Sequence, residues 1–278
     1  MGSAWLTALP SVVEQCCARW EVAVEGTFPS SVAYVAWGRA RGGSSVVLKI
    51  APDRDSFRGE ADVLGRWEGD GAPRLLKVDP DRCALLLERV EPGTSLEPHR
   101  LEPGAVDVGC ELLSRLWSRG APSAHTFPTT GQMAARVRTA IDQRGGGRDR
   151  LDEEVLEAAS RLCDRLGGES VVDVPVLLHG DLHVGNILRS ARCGWVAIDP
   201  QPVVGDPAAD CGPLVRSLVG DEPTAAEVSG LVKRVAGQLG VDPERVRGWA
   251  LLRHVQGSLT LPDGNDAVVA RLLARWVH

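Results

Sequence analysis

The segment His179-Gly180-Asp181-Leu182-His183-Val184-Gly185-Asn186, with Asp199 thirteen residues beyond Asn186, carries the residue types that a triphosphate-dependent phosphoryl transfer needs. An acceptor hydroxyl must be placed in line and relieved of its proton, and a carboxylate at Asp181 is small and basic enough to do so. The triphosphate arrives with Mg²⁺, a hard ion that takes oxygen ligands, and Asn186 with Asp199 offers an amide and a carboxylate oxygen. Singly, Asp181 and Asn186 are ordinary loop residues that satisfy backbone groups. Their joint spacing with Asp199 is what points to a site. His179 reads as structural, holding the loop by hydrogen bonds. A second set lies earlier: Val46-Val47-Leu48-Lys49 is an apolar strand with one Lys, and Glu60 follows eleven residues later. Lys49 can pair with α- and β-phosphates, and Glu60 can fix it by an ion pair.

The order Lys, Glu, Asp, Asn, Asp is that of a kinase site, and 179–186 fits the H-x-D-x-x-x-x-N pattern of a kinase catalytic loop. No G-x-G-x-x-G precedes Lys49. Gly26-Thr27-Phe28-Pro29-Ser30-Ser31 takes its place between two strands, where Ser30 and Ser31 are candidate phosphate contacts and a plain hairpin turn is an equal reading. Glu88 and Val90, at the end of the last strand, are candidate hinge residues that meet an adenine edge through their main chains. Two rival classes remain. His179, Asp181 and His183 alternate as in a metal-dependent hydrolase, but that leaves Lys49, Glu60 and Asn186 idle and supplies no remote His. A binding module would have no use for Lys49, Asp181, Asn186 and Asp199 together.

These residues must be positioned by two kinds of element. Short β-rich runs at Trp20–Glu25, Ser31–Trp37, Ser45–Ile50, Arg74–Val78 and Ala84–Glu88 predict an antiparallel sheet, interrupted by one helix with Phe57, Ala61 and Leu64 on a face. After Pro92-Gly93, Pro98 and Pro103 the apolar spacing turns helical, with Val106, Cys110, Leu113 and Trp117 on one side. Helices are expected across 130–143, 151–166, 208–219, 224–239, 242–259 and 265–277, with breaks such as Gly145–Gly147. Strands at Val176–Leu178, Ile187–Arg189 and Trp195–Ile198, the last two joined by the turn Ser190–Gly194, bracket the catalytic segment. Asp206-Pro207 reads as a helix start, and Asp210 one turn later is placed to brace the loop. The fold class is α+β in two lobes: residues 1–90 as a nucleotide-binding sheet lobe ending in the hinge, and 91–278 as a helical lobe with the catalytic loop and acceptor site.

The 278 residues are 44% hydrophobic and 24% charged, enough for a substantial core. A net charge of −6 opposes a nucleic-acid partner and suits a cationic small molecule. No run approaches a membrane span, and the N-terminus lacks the basic and apolar regions of a signal peptide, so a cytoplasmic address is expected. Seven cysteines without a C-x-x-C pair read as reduced, mostly buried residues.

The chain resembles the aminoglycoside phosphotransferase family, in its streptomycin 6-kinase and hydroxyurea phosphotransferase branch. Beyond the catalytic loop, the likeness rests on Ala4-Trp5-Leu6 to Leu9-Pro10, Cys16 to Trp20-Glu21, Leu86-Leu87-Glu88-Arg89, and Ala197-Ile198-Asp199-Pro200 through Val204-Gly205-Asp206-Pro207. It implies a protein-kinase-like two-lobed fold and an antibiotic O-phosphotransferase using Mg²⁺ and ATP, or GTP. Asp181 would be the base, Asn186 and Asp199 the metal ligands, Lys49 the phosphate-binding lysine and Glu60 its partner. The expected acceptor is a cationic antibiotic, streptomycin first and a tuberactinomycin peptide such as capreomycin or viomycin second. Asp210, Trp249, His254 and Asp263, with Asp266 and Gln256, are candidate acceptor contacts.

Overall fold

Trp5, Leu9, Val12 and Cys16 recur at helical spacing, and Ser3–Trp20 forms a helix, α1, despite Pro10 inside it. It covers a sheet whose inner face supplies Val22, Val46, Leu48, Ile50, Ala84 and Leu86 to one cluster with Cys16 and Trp20. The computed structural model describes residues 3–30, 32–123, 125–143, 151–168, 174–260 and 265–275. The sheet strands are β1 (Val22–Phe28), β2 (Tyr34–Ala40), β3 (Ser45–Ile50), β4 (Leu75–Asp79) and β5 (Ala84–Glu88), in the order β1-β2-β3-β5-β4. All neighbouring pairs are antiparallel. β3 is therefore the central strand, and Lys49 lies between Val35 of β2 and Leu85 of β5. Gly26, Thr27 and Phe28, expected in a turn, belong to β1: a register shift between Val24 and Gly26 carries the strand further than the apolar run suggests.

Between β3 and β4 runs α2 (Arg54–Trp67), started by Asp53, whose side chain accepts from the amides of Asp55 and Ser56. Its buried face is Phe57, Glu60, Val63, Leu64 and Trp67. The face is turned one residue from the expected Phe57-Ala61-Leu64 stripe, and this turn is what brings Glu60 inward.

The remaining elements follow in chain order. They are β6 (Pro92–Ser95), α3 (Gly104–Trp117), α4 (Thr130–Asp142), α5 (Glu153–Leu166), β7 (Val176–Leu178), β8 (Ile187–Ser190), β9 (Gly194–Ala197), β10 (Val203–Gly205), α6 (Ala208–Leu218), α7 (Ala225–Leu239), α8 (Pro243–Thr260) and α9 (Asp266–Ala274). Thr129 with Gln132, and Thr224 with Glu227, close capping boxes at the starts of α4 and α7. Asp206 accepts from the Ala208 amide at 3.1 Å to start α6. β6 and β10 were not expected; at four and three residues they are too short for a period to show. β10 pairs antiparallel with β7, and β6-β8-β9 form a separate sheet. The expected break at Gly145–Gly147 lies outside the described residues.

The chain divides into two units. The first comprises residues 1–94 and 188–201, the second 95–187 and 202–278. All seven cysteines are free thiols, and burial raises Cys110 to about 12 and Cys16 and Cys163 to about 11. Among the described residues no helix is long and apolar enough to cross a membrane.

Candidate active site

In the first unit, the alternation of β3 places Lys49 on a buried side of the central strand, and the inward face of α2 meets it with Glu60. The Lys49 ammonium lies 2.8 Å from one Glu60 carboxylate oxygen and 2.7 Å from the other, and it also donates to Asp199 Oδ1. Lys49 is 9% and Glu60 6% exposed, so the pair is desolvated. Burial pulls the Lys49 pKa down, but the Glu60 and Asp199 carboxylates outweigh it and hold the ammonium above its ordinary value. Asp199 follows β9 in left-handed backbone, φ 58°, unusual for a residue with a side chain. Its side chain remains 42% exposed, in contrast to those of Lys49 and Glu60.

Of the other residues expected in this unit, Ser30 uses its hydroxyl locally, accepting from the amides of Val32 and Ala33 at 3.3 Å each. Ser31 lies outside the described residues. Glu88 ends β5: its amide donates to the Arg74 carbonyl, and its carboxylate accepts from the Arg74 amide at 3.1 Å and from Arg192 at 2.9 Å. Beyond it Gly93 has φ 72°, and a Cβ there would stand 2.7 Å from the Val90 carbonyl oxygen, so only glycine lets the chain close against Val90.

In the second unit, the catalytic segment is held by bonds between its main chain and side chains of the loop and of α6. The Asp181 carbonyl accepts from the His183 amide and from Asn186 Nδ2, both at 3.0 Å. The His183 ring accepts from the Gly185 amide at 3.1 Å, and the Val184 amide donates to Ser217 Oγ at 3.1 Å. The buried His179 ring accepts from the Asp181 amide at 3.3 Å. Asp210, fully buried, accepts from the amides of His179 at 2.8 Å and Gly180 at 2.7 Å, and from the Trp117 indole at 3.0 Å. Gly180 has φ 81°, the turn that aims both amides at one carboxylate. Burial raises the Asp210 pKa to about 6, against the pull of these three donors. The Asp181 carboxylate itself receives the guanidinium of Arg253, from α8.

The expected acceptor contacts are not surface groups. Trp249 is 2% exposed and donates to Asp206 at 2.6 Å. His254 is buried, with Nδ1 2.8 Å from Asp266. Asp266 also receives Arg216 at 2.8 and 2.7 Å. Asp210 is spent on loop amides and the Trp117 indole, Trp249 on Asp206, and His254 and Asp266 on each other, so all four polar groups are engaged inside the unit. Polar residues on nearly all-round buried helices such as α6 and α8 satisfy each other inside the lobe. Asp263 lies outside the described residues. The alternating His179-Asp181-His183 reading also finds no support: among the described residues no three His, Cys, Asp or Glu side chains converge on a metal position.

Asp266 yields a pH prediction. Burial pushes its carboxyl up, but Arg216 and His254 outweigh this and hold it at about 2, below the ordinary 3.8. Because the folded pKa is the lower one, its contribution is complete above about pH 4 and is lost as pH falls towards 2, a change of about 2 kcal/mol. Urea titrations across that range are expected to show the slope in the native protein and its absence in Asp266→Asn.

Residues 17–263 match the aminoglycoside/hydroxyurea antibiotic resistance kinase family. The chain is 33% identical to a streptomycin 6-kinase of Streptomyces glaucescens, covering 96% of this chain and 88% of that protein. It is also 33% identical to a hydroxyurea phosphotransferase of Kitasatospora aureofaciens, covering 99% and 82%. Among solved structures, an amicoumacin kinase in complex with AMP-PNP, Ca²⁺ and Ami superposes with TM-score 0.67 at 13% identity, over 96% of this chain and 92% of that one. The choline kinase LicA from Streptococcus pneumoniae gives 0.66 at 16%, over 96% and 99%. These neighbours share the protein-kinase-like α+β fold, and the chain belongs to the aminoglycoside/hydroxyurea antibiotic resistance kinase family.

Proposed function

We propose that this kinase transfers the γ-phosphoryl group of ATP to a hydroxyl of streptomycin. The identity to a streptomycin 6-kinase along nearly the whole of both chains carries the choice of acceptor. In this reading Asp181 is the general base and Lys49, fixed by Glu60, binds the nucleotide phosphates. In the same reading Asn186 and Asp199 would each offer an oxygen to a hard cation. Asn186 commits its amide nitrogen to the Asp181 carbonyl, which leaves the oxygen to offer, and Asp199 keeps an exposed carboxylate. Mg²⁺ bound there would neutralise phosphate charge. Val90 and Glu88 are the hinge candidates for the adenine edge, through main-chain groups only. Acceptor selection falls to residues other than the buried Asp210, Trp249, His254 and Asp266.

Hydroxyurea is the second acceptor to test, because the identity to its phosphotransferase is equally high. Mass spectrometry after incubation with Mg-ATP is expected to show streptomycin gaining one phosphoryl group. Phosphorylated hydroxyurea with unmodified streptomycin would move the acceptor, capreomycin would place it with the tuberactinomycin peptides, and no product from any of them would overturn the antibiotic assignment.

A further inference from the structure

Arg253 points its guanidinium at the one carboxylate that the reaction most needs. Nη2 donates to Asp181 Oδ1, while Nη1 donates to Gln256 at 3.1 Å, one turn along α8. Both residues of the ion pair belong to the second unit, and their side chains are 18% and 19% exposed, so the contact is only thinly screened by water. Other arginines of this region are committed elsewhere: Arg216 to Asp266, Arg245 to Asp206 and Arg247 to Glu244. A structural ion pair needs no such position. Asp181 sits in a loop already fixed by the bonds of its own carbonyl and amide, so the pair is not required to hold the backbone.

We propose that Arg253 is a catalytic residue, the cation that contacts the transferring phosphoryl group while Asp181 takes the acceptor's proton. The inference rests on Asp181 being the base. An attacking oxygen within hydrogen-bond reach of Asp181, about 3 Å, must also come within about 3–3.5 Å of the phosphorus, so the phosphoryl oxygens arrive beside the guanidinium. In the step, the acceptor O–H bond breaks and its proton passes to Asp181. The acceptor O–P bond forms as the bond from the γ-phosphorus to the bridging oxygen breaks, and the nucleoside diphosphate leaves with the electron pair. Asp181 afterwards gives its proton to water. The planar fork of the guanidinium suits the phosphoryl oxygens that arrive beside it. Arg253 stays a cation throughout.

Steady-state kinetics of Arg253→Ala, Arg253→Lys and Asp181→Asn with streptomycin and Mg-ATP test this, with thermal shifts by Mg-ATP as the check on folding. In Arg253→Ala, kcat and kcat/KM are expected to fall together by roughly 10²–10³-fold, the pattern of an interaction made in the transition state. Low, non-denaturing guanidinium chloride is expected to restore part of that kcat, where sodium chloride at the same ionic strength does not and where Asp181→Asn gains nothing. Arg253→Lys is expected to fall between the native protein and the alanine variant. An alanine variant as fast as the native enzyme, or faster, would make Arg253 a resting-state lock and overturn the proposal. A loss of kcat that guanidinium leaves untouched would do the same. Turnover by Asp181→Asn would instead overturn the base assignment on which the inference stands.

Discussion

Exchange of Asp181 for Asn is expected to cut kcat by roughly 10²–10⁴-fold, since an amide cannot accept the acceptor's proton. The side chains are almost the same size, and besides the carboxylate's contact with Arg253 the bonds at residue 181 use its main chain: the carbonyl takes His183 and Asn186, and the amide reaches His179. The loop therefore keeps its shape in the variant, and Mg-ATP is expected to stabilise it against heat as it does the native protein. Stopped turnover with an intact thermal shift separates a lost base from a lost fold. Near-native kcat would show that Asp181 is not the base, and a change confined to KM would make it a binding group.

The largest stability effect is expected at Asp210. Replacement by Ala strands three donors, the buried amides of His179 and Gly180 and the part-buried Trp117 indole. At about 1–3 kcal/mol for each unsatisfied group, the loss is on the order of 3–9 kcal/mol, readable as a shift of the urea midpoint. Activity should fall with it, because these amides lead directly into Asp181. A loss under about 1 kcal/mol would mean that water replaces the carboxylate, contrary to the burial of the site. The pH response has a definite sign. The folded pKa is about 6 against an ordinary 3.8, so between these values the folded protein holds a proton that the unfolded chain has released. Asp210 thus lowers stability as pH rises through that window, and Asp210→Asn, which does not titrate, is expected to lack this slope.

What could be read in the sequence follows from how local each signal is. The helices of the second unit declare themselves by apolar period and by capping residues such as Thr129 and Thr224, and Lys49 and Glu60 stand in elements with recognisable patterns. Helix α1 carried the spacing Trp5-Leu9-Val12-Cys16, masked by Pro10 and by a polar exposed side. The candidate acceptor contacts show a different limit: Trp249, His254 and Asp266 are polar enough for a ligand, and only packing reveals that Trp249 donates to Asp206 and that His254 pairs with Asp266. Arg253 stood outside any motif, 72 residues from Asp181, so no local pattern could join them. The rotation of α2 that buries Glu60 was likewise a one-residue matter, below what an apolar stripe can fix.

The first unit is discontinuous, and this bears on how the protein is born. Its closing segment, residues 188–201, carries Asp199 and leaves the ribosome 107 residues after residue 94, the difference between 201 and 94. At the usual pace of translation that is a delay of roughly 5–20 s. During this interval the nascent sheet has α1, α2 and the Lys49–Glu60 pair, but lacks the second carboxylate of Lys49 and the β8-β9 hairpin. The amino-terminal part of this kinase must wait for its own later sequence before it is complete, and a fragment ending at residue 94 would remain in that unfinished state.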